Sequence, residues 1–254
     1  MSIEKEYKEY CKNFRQIENY LKKYRKEDHK VYQEICSARG YYLERMQPIL
    51  EEAGFFYLED VSCTKNLLKV KGIEDFGLFS DKGNFILEGR YIFPVRDMLG
   101  NTIAFIGWFP DEKKYVTTPS KFFSKQCLFY GMEQLGKTGL GRNYYIVEGI
   151  FDSLSVRSLG LNCVAMMGIT TSRYKQTMYS FFRDITAIPD NDAEGRGVVL
   201  EDKWKLPTRS RYLRWVGDKS KDIDSICNGY EKEDLIEFLE SAREETSKVV
   251  TFRI

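Results

Sequence analysis

Two groups of acidic residues stand where buried, strand-like segments end, and their spacing suits metal-ion chemistry. Glu148 directly follows the apolar stretch 144–147, and Asp190 and Asp192 follow the strand-like stretch 184–189. Alternate residues of an extended chain point the same way, so Asp190 and Asp192 should project together. If both strands belong to one parallel sheet, the three carboxylates meet at the edge where such sheets bind ligands. Their mutual repulsion is usually relieved by a divalent cation.

Three further acids extend this group. Asp222 and Asp224 follow a predicted strand at 210–216, and Asp152 lies one helical turn after Glu148. A single acidic pair is usually a solvated turn or a helix N-cap, and for Asp222 the N-cap remains an equal alternative. Acids after three successive strands are harder to explain that way. They favour metal-dependent chemistry on phosphate groups, in which two ions can clamp the attacking and leaving oxygens.

The elements that would position these acids alternate between strand and helix. This alternation predicts a parallel sheet with right-handed crossovers, hence an α/β fold class. Predicted strands are 144–148, 162–167, 184–189 and 210–216, and predicted helices are 150–159, 171–182, 193–204 and about 231–242, with an acidic loop before the last helix. Neither a dinucleotide-binding glycine fingerprint nor a P-loop motif occurs in the sequence.

The first half of the chain has a different pattern. Helical periodicity covers 3–24, 30–38 and 41–53, and a period near two then predicts a smaller mixed α+β subdomain. Its predicted strands are 84–87, 91–95, 102–106 and 114–119. The predicted organisation is an N-terminal helical segment 1–65, an α+β subdomain 66–140, a catalytic α/β domain 141–230, and a short helix and tail 231–254.

Composition excludes several classes of protein. The 254 residues carry a formal net charge of +1, so a polyanion would have to bind a local patch. One histidine and six scattered cysteines without a C-x-x-C pair predict neither a zinc site nor a disulfide framework. A signal peptide and a long apolar run are both absent from the sequence, which predicts a cytoplasmic protein without membrane contact.

A basic stretch with interleaved aromatic residues, 120–125, contains Lys121 and Lys125. Such a pattern can hold single-stranded nucleic acid through charge and stacking, although taken alone it is a weak signal. The basic end of the helix 3–24 has two interpretations as well. It could contact phosphates, or it could be a solvated helix face with a favourable C-terminal charge.

Six motifs follow one another along most of 85–230. They are GRYIFPVRDMLGNTIAFIGW (89–108), KYVTTPSKFFSKQCLFYG (114–131), Glu148-Gly149 with Asp152, MGITT (167–171), Asp190-Asn191-Asp192 and Asp222-Ile223-Asp224. In this order they resemble the catalytic core of bacterial, DnaG-type primases, which contains a Toprim domain. The sequence departs from the family pattern where Glu194 stands before Gly195, and residues 1–65 resemble the family poorly.

The resemblance implies roles for individual residues. Glu148, Asp190 and Asp192 would be the catalytic acids and central ligands of two or more Mg²⁺ or Mn²⁺ ions. Asp152, Asp222 and Asp224 would be further metal ligands that support the cluster. Positions implied to face template or nucleotide are Arg90, Arg96, Lys114, Tyr115, Lys121, Lys125 and Arg196. The implied enzyme is a DNA primase that joins ribonucleoside triphosphates into short RNA primers on single-stranded DNA.

The resemblance also raises expectations about partners. No zinc-binding segment is recognisable, and only about thirty residues follow Asp224. We therefore expect a reduced core of the kind found on phages or mobile elements, acting in a bacterial or phage-infected cytosol. Such a core would depend on a replicative helicase or on a separate zinc-binding, template-selecting protein.

Two other functions remain open from the sequence. A Toprim nuclease would use the same acids to cut DNA or RNA, with water as the attacking group. A catalytically reduced, primase-like protein could instead serve only as an interaction partner in replication. The intact acid set argues against the second alternative, because carboxylates without a metal would cost stability through repulsion.

Overall fold

A computed structural model describes residues 2–69, 73–110, 114–120, 122–245 and 247–253. The chain divides into two compact units, Met1–Arg39 with Leu50–Ser124 and Gly40–Ile49 with Lys125–Ile254. This division differs from the predicted boundaries at 65, 140 and 230, since residues 125–140 and 40–49 join the second unit. In the described residues, no helix is both long and apolar enough to cross a lipid bilayer.

The first unit is built on an antiparallel sheet with helices beside it. Its four strands follow the order β1-β2-β3-β4. The elements are α1 (Ile3–Lys22), α2 (Asp28–Arg39), β1 (Phe56–Tyr57), 3-10 helices at Val61–Lys69 and Ile73–Phe76, β2 (Tyr91–Arg96), β3 (Thr102–Phe109) and β4 (Lys114–Thr117); α3 (Leu43–Ala53) begins in the second unit and ends in the first.

The amphipathic pattern of α1 is realised as packing against β3. Phe14 is fully buried, and its ring centroid lies 4.9 Å from that of Phe105. The hydroxyl of the buried Tyr10 donates to the carbonyl oxygen of Ile103 at 2.8 Å. A large apolar stripe with one satisfied polar group is the pattern expected of a helix that covers a sheet.

The strand predicted at 84–87 is wrong. Within this segment Phe85 makes an isolated bridge to Phe79, and the chain turns from Ile86 onward. Gly83 and Gly89 flank the segment with positive φ angles of +77° and +66°, which turn the chain at both ends. An apolar run between two such glycines is too short to join the ladder, although Leu87 is still buried.

The second unit contains a five-stranded, entirely parallel sheet, which confirms the predicted α/β class. Its strand order is β6-β5-β7-β8-β9. The elements are α4 (Glu133–Thr138), β5 (Arg142–Val147), α5 (Ile150–Ser158), β6 (Cys163–Ala165), α6 (Arg173–Met178), a 3-10 turn (Tyr179–Phe181), β7 (Phe182–Ile188), α7 (Ala193–Leu200), β8 (Arg211–Val216), α8 (Ile223–Gly229), α9 (Lys232–Glu244) and β9 (Val249–Arg253).

Strand register brings the predicted acids to one edge. Val147, at the end of the central strand β5, pairs with Ala165 of β6 and with Ile188 of β7. Glu148 therefore leaves the sheet at the level where β7 runs into Asp190. The last four residues of β5 and of β7, 144–147 and 185–188, are all buried and mostly β-branched or aromatic, because both faces of a parallel sheet are covered by helices.

Three elements of this unit were not predicted, namely α4 and two elements that follow β8. The loop expected after β8 contains α8, whose N-cap Asp222 accepts the backbone N–H of Ser225 at 2.8 Å. The tail expected after α9 contains β9, which runs parallel to β8 at the sheet edge. The β-branched and aromatic residues at 249–252 favour a strand. The strand was not predicted because this run is short and charged residues lie close to it in the sequence.

Candidate functional site

Glu148 is placed at the carboxyl end of β5 with half of its carboxylate unsatisfied. Its Oε2 atom is buried and has no hydrogen-bond partner among the described residues. Burial, followed by the nearby charges of Asp190 and Asp192, raises the pKa of Glu148 to about 7. A buried acceptor that repels its neighbours suits a position facing a cation.

Asp190 and Asp192 occupy the turn between β7 and α7 in different environments. Burial raises the pKa of Asp190 to about 6, against the opposing effect of Lys221. Asp192 is the N-cap of α7 and accepts the backbone N–H of Gly195 at 2.9 Å. Although burial acts to raise the pKa of Asp192, this hydrogen bond and Lys221 lower it overall. The ionised form of Asp190 is therefore destabilised by burial, whereas the ionised form of Asp192 is stabilised by its hydrogen bond and by Lys221.

Lys221 is a basic residue of the site that sequence reasoning missed. Its Nζ atom lies 3.2 Å from Asp192 Oδ2 and 3.4 Å from Asp190 Oδ2. Its backbone oxygen accepts the N–H of Asn191 at 2.5 Å. The Asn191 side chain in turn accepts a hydrogen bond from Arg214 at 2.6 Å, so the turn is braced from β8. In the sequence, the role of Lys221 in the site is indicated only by its position directly before Asp222.

Asp152 and Asp224 form a buried layer beneath the site. Asp152 Oδ2 accepts the N–H of Gly149 at 2.9 Å, and its Oδ1 accepts the N–H of Asp224 at 3.3 Å. Burial and the charge of Asp224 raise the pKa of Asp152 well above its usual range. Ser155 donates to Asp224 Oδ1. These bonds tie the start of α5 to the start of α8, which is a positioning role.

The acids are brought together without forming a finished metal cage. Among the residues that the structure describes, no three acidic, histidine or cysteine side chains converge on a single ion position. Carboxylate oxygens are nevertheless the ligands that Mg²⁺ and Mn²⁺ prefer. Glu148 Oε2 is such an oxygen, and it has no hydrogen-bond partner among the described residues. Lys221 already places a positive charge on Asp190 and Asp192, so this edge of the sheet accepts cations.

Gly195 allows close backbone packing in the turn that carries Asp190 and Asp192. A Cβ atom built at Gly195 would lie 1.8 Å from the backbone oxygen of Asp190. Only glycine therefore allows the first turn of α7 to pack against the end of β7. This close approach fixes the spacing between Asp190 and the N-cap Asp192, and the sequence showed it only as part of a motif.

Lys175 is a buried positioning residue that sequence reasoning also missed. Its side chain is fully buried, and Nζ donates to the carbonyl oxygens of Met166 at 2.5 Å and Lys125 at 2.6 Å. Met167, which directly follows Met166, has a φ of +60° and donates its N–H to the Glu148 carbonyl at 2.9 Å. Lys175 therefore anchors both the loop beside Glu148 and the segment that carries Lys125.

We expect Lys175→Met to destabilise the protein by about 2–4 kcal/mol at pH 7, because the buried carbonyl of Met166 and the part-buried carbonyl of Lys125 lose their donor. Burial lowers the pKa of Lys175 from 10.5 to about 7. The unfolded chain then binds more protons between these values, so wild-type stability should rise from pH 7 to pH 9.5, and the variant should lose that rise. Urea unfolding at both pH values measures this. The exposed Lys232→Met is the control, and an equal loss in both variants would contradict the anchoring role.

The predicted nucleic-acid and nucleotide positions are spread over both units. In the first unit, Arg90 stacks over Phe109 with its guanidinium carbon 5.8 Å from the ring centroid, and its buried Nη1 has no partner in the described ranges. Arg96 donates to the carbonyl oxygens of Glu52 and Ala53 at 3.1 and 3.0 Å, where it caps the end of α3.

The remaining positions differ in what can be said of them. Tyr115 is 40% exposed on β4, where Lys114 is the first residue, and Lys121 lies outside the described residues. In the second unit, Lys125 is exposed, and Arg196 is exposed on α7. The acidic residues are thus gathered at one edge, whereas the roles of the basic residues stay predictions.

Comparison with known proteins agrees with this geometry. The Toprim-like family matches residues 145–227, which contain every acid of the site. The DNA primase of Haemophilus influenzae is 30% identical over 183 residues, covering 66% of this chain and 31% of the relative. The DNA primase of Thermotoga maritima is 26% identical over 212 residues, covering 76% of this chain and 36% of the relative. The chain thus spans about a third of the length of these curated relatives.

Solved structures decide the fold. The RNA polymerase domain of Mycobacterium tuberculosis primase DnaG superimposes with a TM-score of 0.71 at 20% identity, covering 92% of this chain and 83% of that one. The chain has the fold of a DnaG-type primase catalytic core. A DnaG primase catalytic domain bound to ssDNA gives a TM-score of 0.66 at 19% identity, covering 91% of this chain and 78% of that one. The primase-type fold therefore includes much of residues 1–65, which the sequence resemblance did not reach.

Proposed function

We propose that this chain is the catalytic core of a DNA primase, which joins ribonucleoside triphosphates into short RNA primers on single-stranded DNA. The observation that carries the proposal is the position of Glu148, Asp190 and Asp192 at the carboxyl edge of the parallel sheet. Primases of two bacteria share sequence with this region, and primase catalytic cores share its fold.

The proposed metal ligands are Glu148, Asp190 and Asp192, which would hold two or more Mg²⁺ or Mn²⁺ ions together with substrate phosphates. Bound ions would acidify the attacking hydroxyl and neutralise charge that develops on the α-phosphate. Asp152, Asp222 and Asp224 hold α5 and α8 in place around this edge. No protein nucleophile is required, because the hydroxyl of the growing chain attacks and pyrophosphate leaves.

The proposed substrate contacts use the basic positions of both units. We assign template or triphosphate binding to Arg90, Arg96, Lys114, Tyr115, Lys121, Lys125 and Arg196. Lysine and arginine bind phosphates through charge, and an exposed tyrosine offers a face on which a base can stack. We further propose that a replicative helicase or a separate zinc-binding protein selects the template site, in a bacterial or phage-infected cytosol.

The test uses two labels in parallel on the same protein. We expect labelled ATP in a mixture of all four ribonucleotides to appear in short RNA products on single-stranded DNA, with Mg²⁺ or Mn²⁺ and not with EDTA. A 5′-labelled template in the same reaction should keep its length. Metal-dependent shortening of the template, without RNA products, would instead identify a Toprim nuclease and overturn the proposal.

A further inference from the structure

Lys221 places its ammonium group on two of the carboxylates that the proposed function assigns to metal ions. Nζ lies 3.2 Å from Asp192 Oδ2 and 3.4 Å from Asp190 Oδ2, and the lysine side chain is 61% exposed. We propose that Lys221 is an exchangeable internal cation. It holds Asp190 and Asp192 until a divalent ion binds them, and its ammonium group then binds the phosphates of the incoming nucleotide. This inference rests on the proposed function.

The exchange follows from charge. A divalent ion and an ammonium group that contact the same oxygen atoms repel each other, so each weakens the binding of the other. Lys221 contacts the Oδ2 atoms of both aspartates, and no three ligating side chains converge on one ion position among the residues described. The lysine therefore competes with a divalent ion for these two oxygen atoms.

Only the side chain of Lys221 needs to move. Its backbone oxygen is held by the N–H of Asn191 at 2.5 Å, and the following residue, Asp222, caps α8. The side chain is 61% exposed and has four rotatable bonds, so it can turn into solvent. After it leaves the aspartates, the Lys221 ammonium group stays within one side-chain length of the acidic edge, where a bound triphosphate would place negative charge.

The experiment measures Mn²⁺ binding and then ATP binding by titration calorimetry, on the full chain and without requiring catalysis. Lys221→Ala is compared with wild type and with Lys219→Ala, an exposed lysine two residues away. We expect Lys221→Ala to bind Mn²⁺ about three- to tenfold more tightly, since a competing ion pair is gone. At saturating Mn²⁺ it should bind ATP about fivefold more weakly. Lys219→Ala should stay within about twofold in both titrations.

Each other outcome overturns the inference in a distinct way. Unchanged or weaker Mn²⁺ binding by Lys221→Ala means that the lysine does not compete for the carboxylates. Tighter Mn²⁺ binding with unchanged ATP binding means that Lys221 is a counter-ion that never exchanges. If the wild type and both variants bind no Mn²⁺, the metal-dependent function itself fails, and the inference fails with it.

Discussion

Glu148→Gln should abolish primer synthesis and at the same time make the protein more stable. We expect the rate to fall by at least about a thousandfold, because a proposed ligand of the catalytic ions loses its charge. Glutamine keeps the size of the side chain and removes the buried charge that Asp190 and Asp192 repel. Opposite effects on activity and stability are characteristic of a residue kept for function.

The pH dependence gives the sign of the stability effect. The pKa of Glu148 is raised from 4.5 to about 7, so the folded protein binds more protons than the unfolded chain in this interval. Wild-type stability should therefore fall as the pH rises from about 4.5 to 7, and Glu148→Gln should remove that part of the fall. At pH 8 the expected gain is on the order of 2 kcal/mol.

Urea unfolding in EDTA, at pH 5 and pH 8, measures this gain without metal. Glu237→Gln, on the exposed face of α9, is the control for loss of one negative charge and should change stability by less than about 0.5 kcal/mol. A Glu148→Gln protein that is inactive and less stable than wild type at pH 8 would show that Glu148 is structural.

Gly195→Ala should destabilise the second unit by more than about 2 kcal/mol and remove most metal binding. The new Cβ would lie 1.8 Å from the Asp190 carbonyl oxygen, and backbone atoms cannot move aside as a flexible side chain can. Any relaxation must shift either the end of β7 or the start of α7. Both movements change the distance between Asp190 and Asp192.

Gly197→Ala, two residues along the same helix, is the matched control. A Cβ at Gly197 would meet the ends of the Lys203 and Glu201 side chains at 3.2 and 3.9 Å, and both side chains can turn away. Alanine is the better helix former, so this variant should be about 0.5–1 kcal/mol more stable and should bind Mn²⁺ normally. Thermal unfolding and Mn²⁺ titration of both variants test the contrast. Similar behaviour of the two variants would contradict a specific role for Gly195.

The acidic edge could be predicted because it depends only on local order along the chain. A buried strand followed by an acid, found three times with helices between, places the acids together once the sheet is parallel. The register of Val147 with Ile188 then follows from packing of the two apolar strands. The position of the acids can therefore be predicted without knowing which side chains contact each other over long distances in the sequence.

The supporting residues could not be predicted because their roles arise from contacts distant in sequence. Lys175 reaches the carbonyl of Lys125, fifty residues earlier, and charged residues are rarely expected in a core. Lys221 reaches Asp190 across the sheet edge, and its sequence neighbourhood reads as a solvated loop. Sequence alone likewise gave no sign that Arg96 caps α3.

The function proposed for the acids at this edge is nucleotide transfer with a divalent metal ion. Its most direct test compares Asp190→Asn with Asp184→Asn in synthesis of RNA from labelled ribonucleotides on single-stranded DNA with Mn²⁺. Asp184 lies near the opposite end of β7, paired with Arg211 at 3.1 Å. We predict at least a thousandfold loss for Asp190→Asn, and activity within about twofold of wild type for Asp184→Asn. Primer synthesis by Asp190→Asn at the wild-type rate would show that the Asp190 carboxylate is not needed for nucleotide transfer.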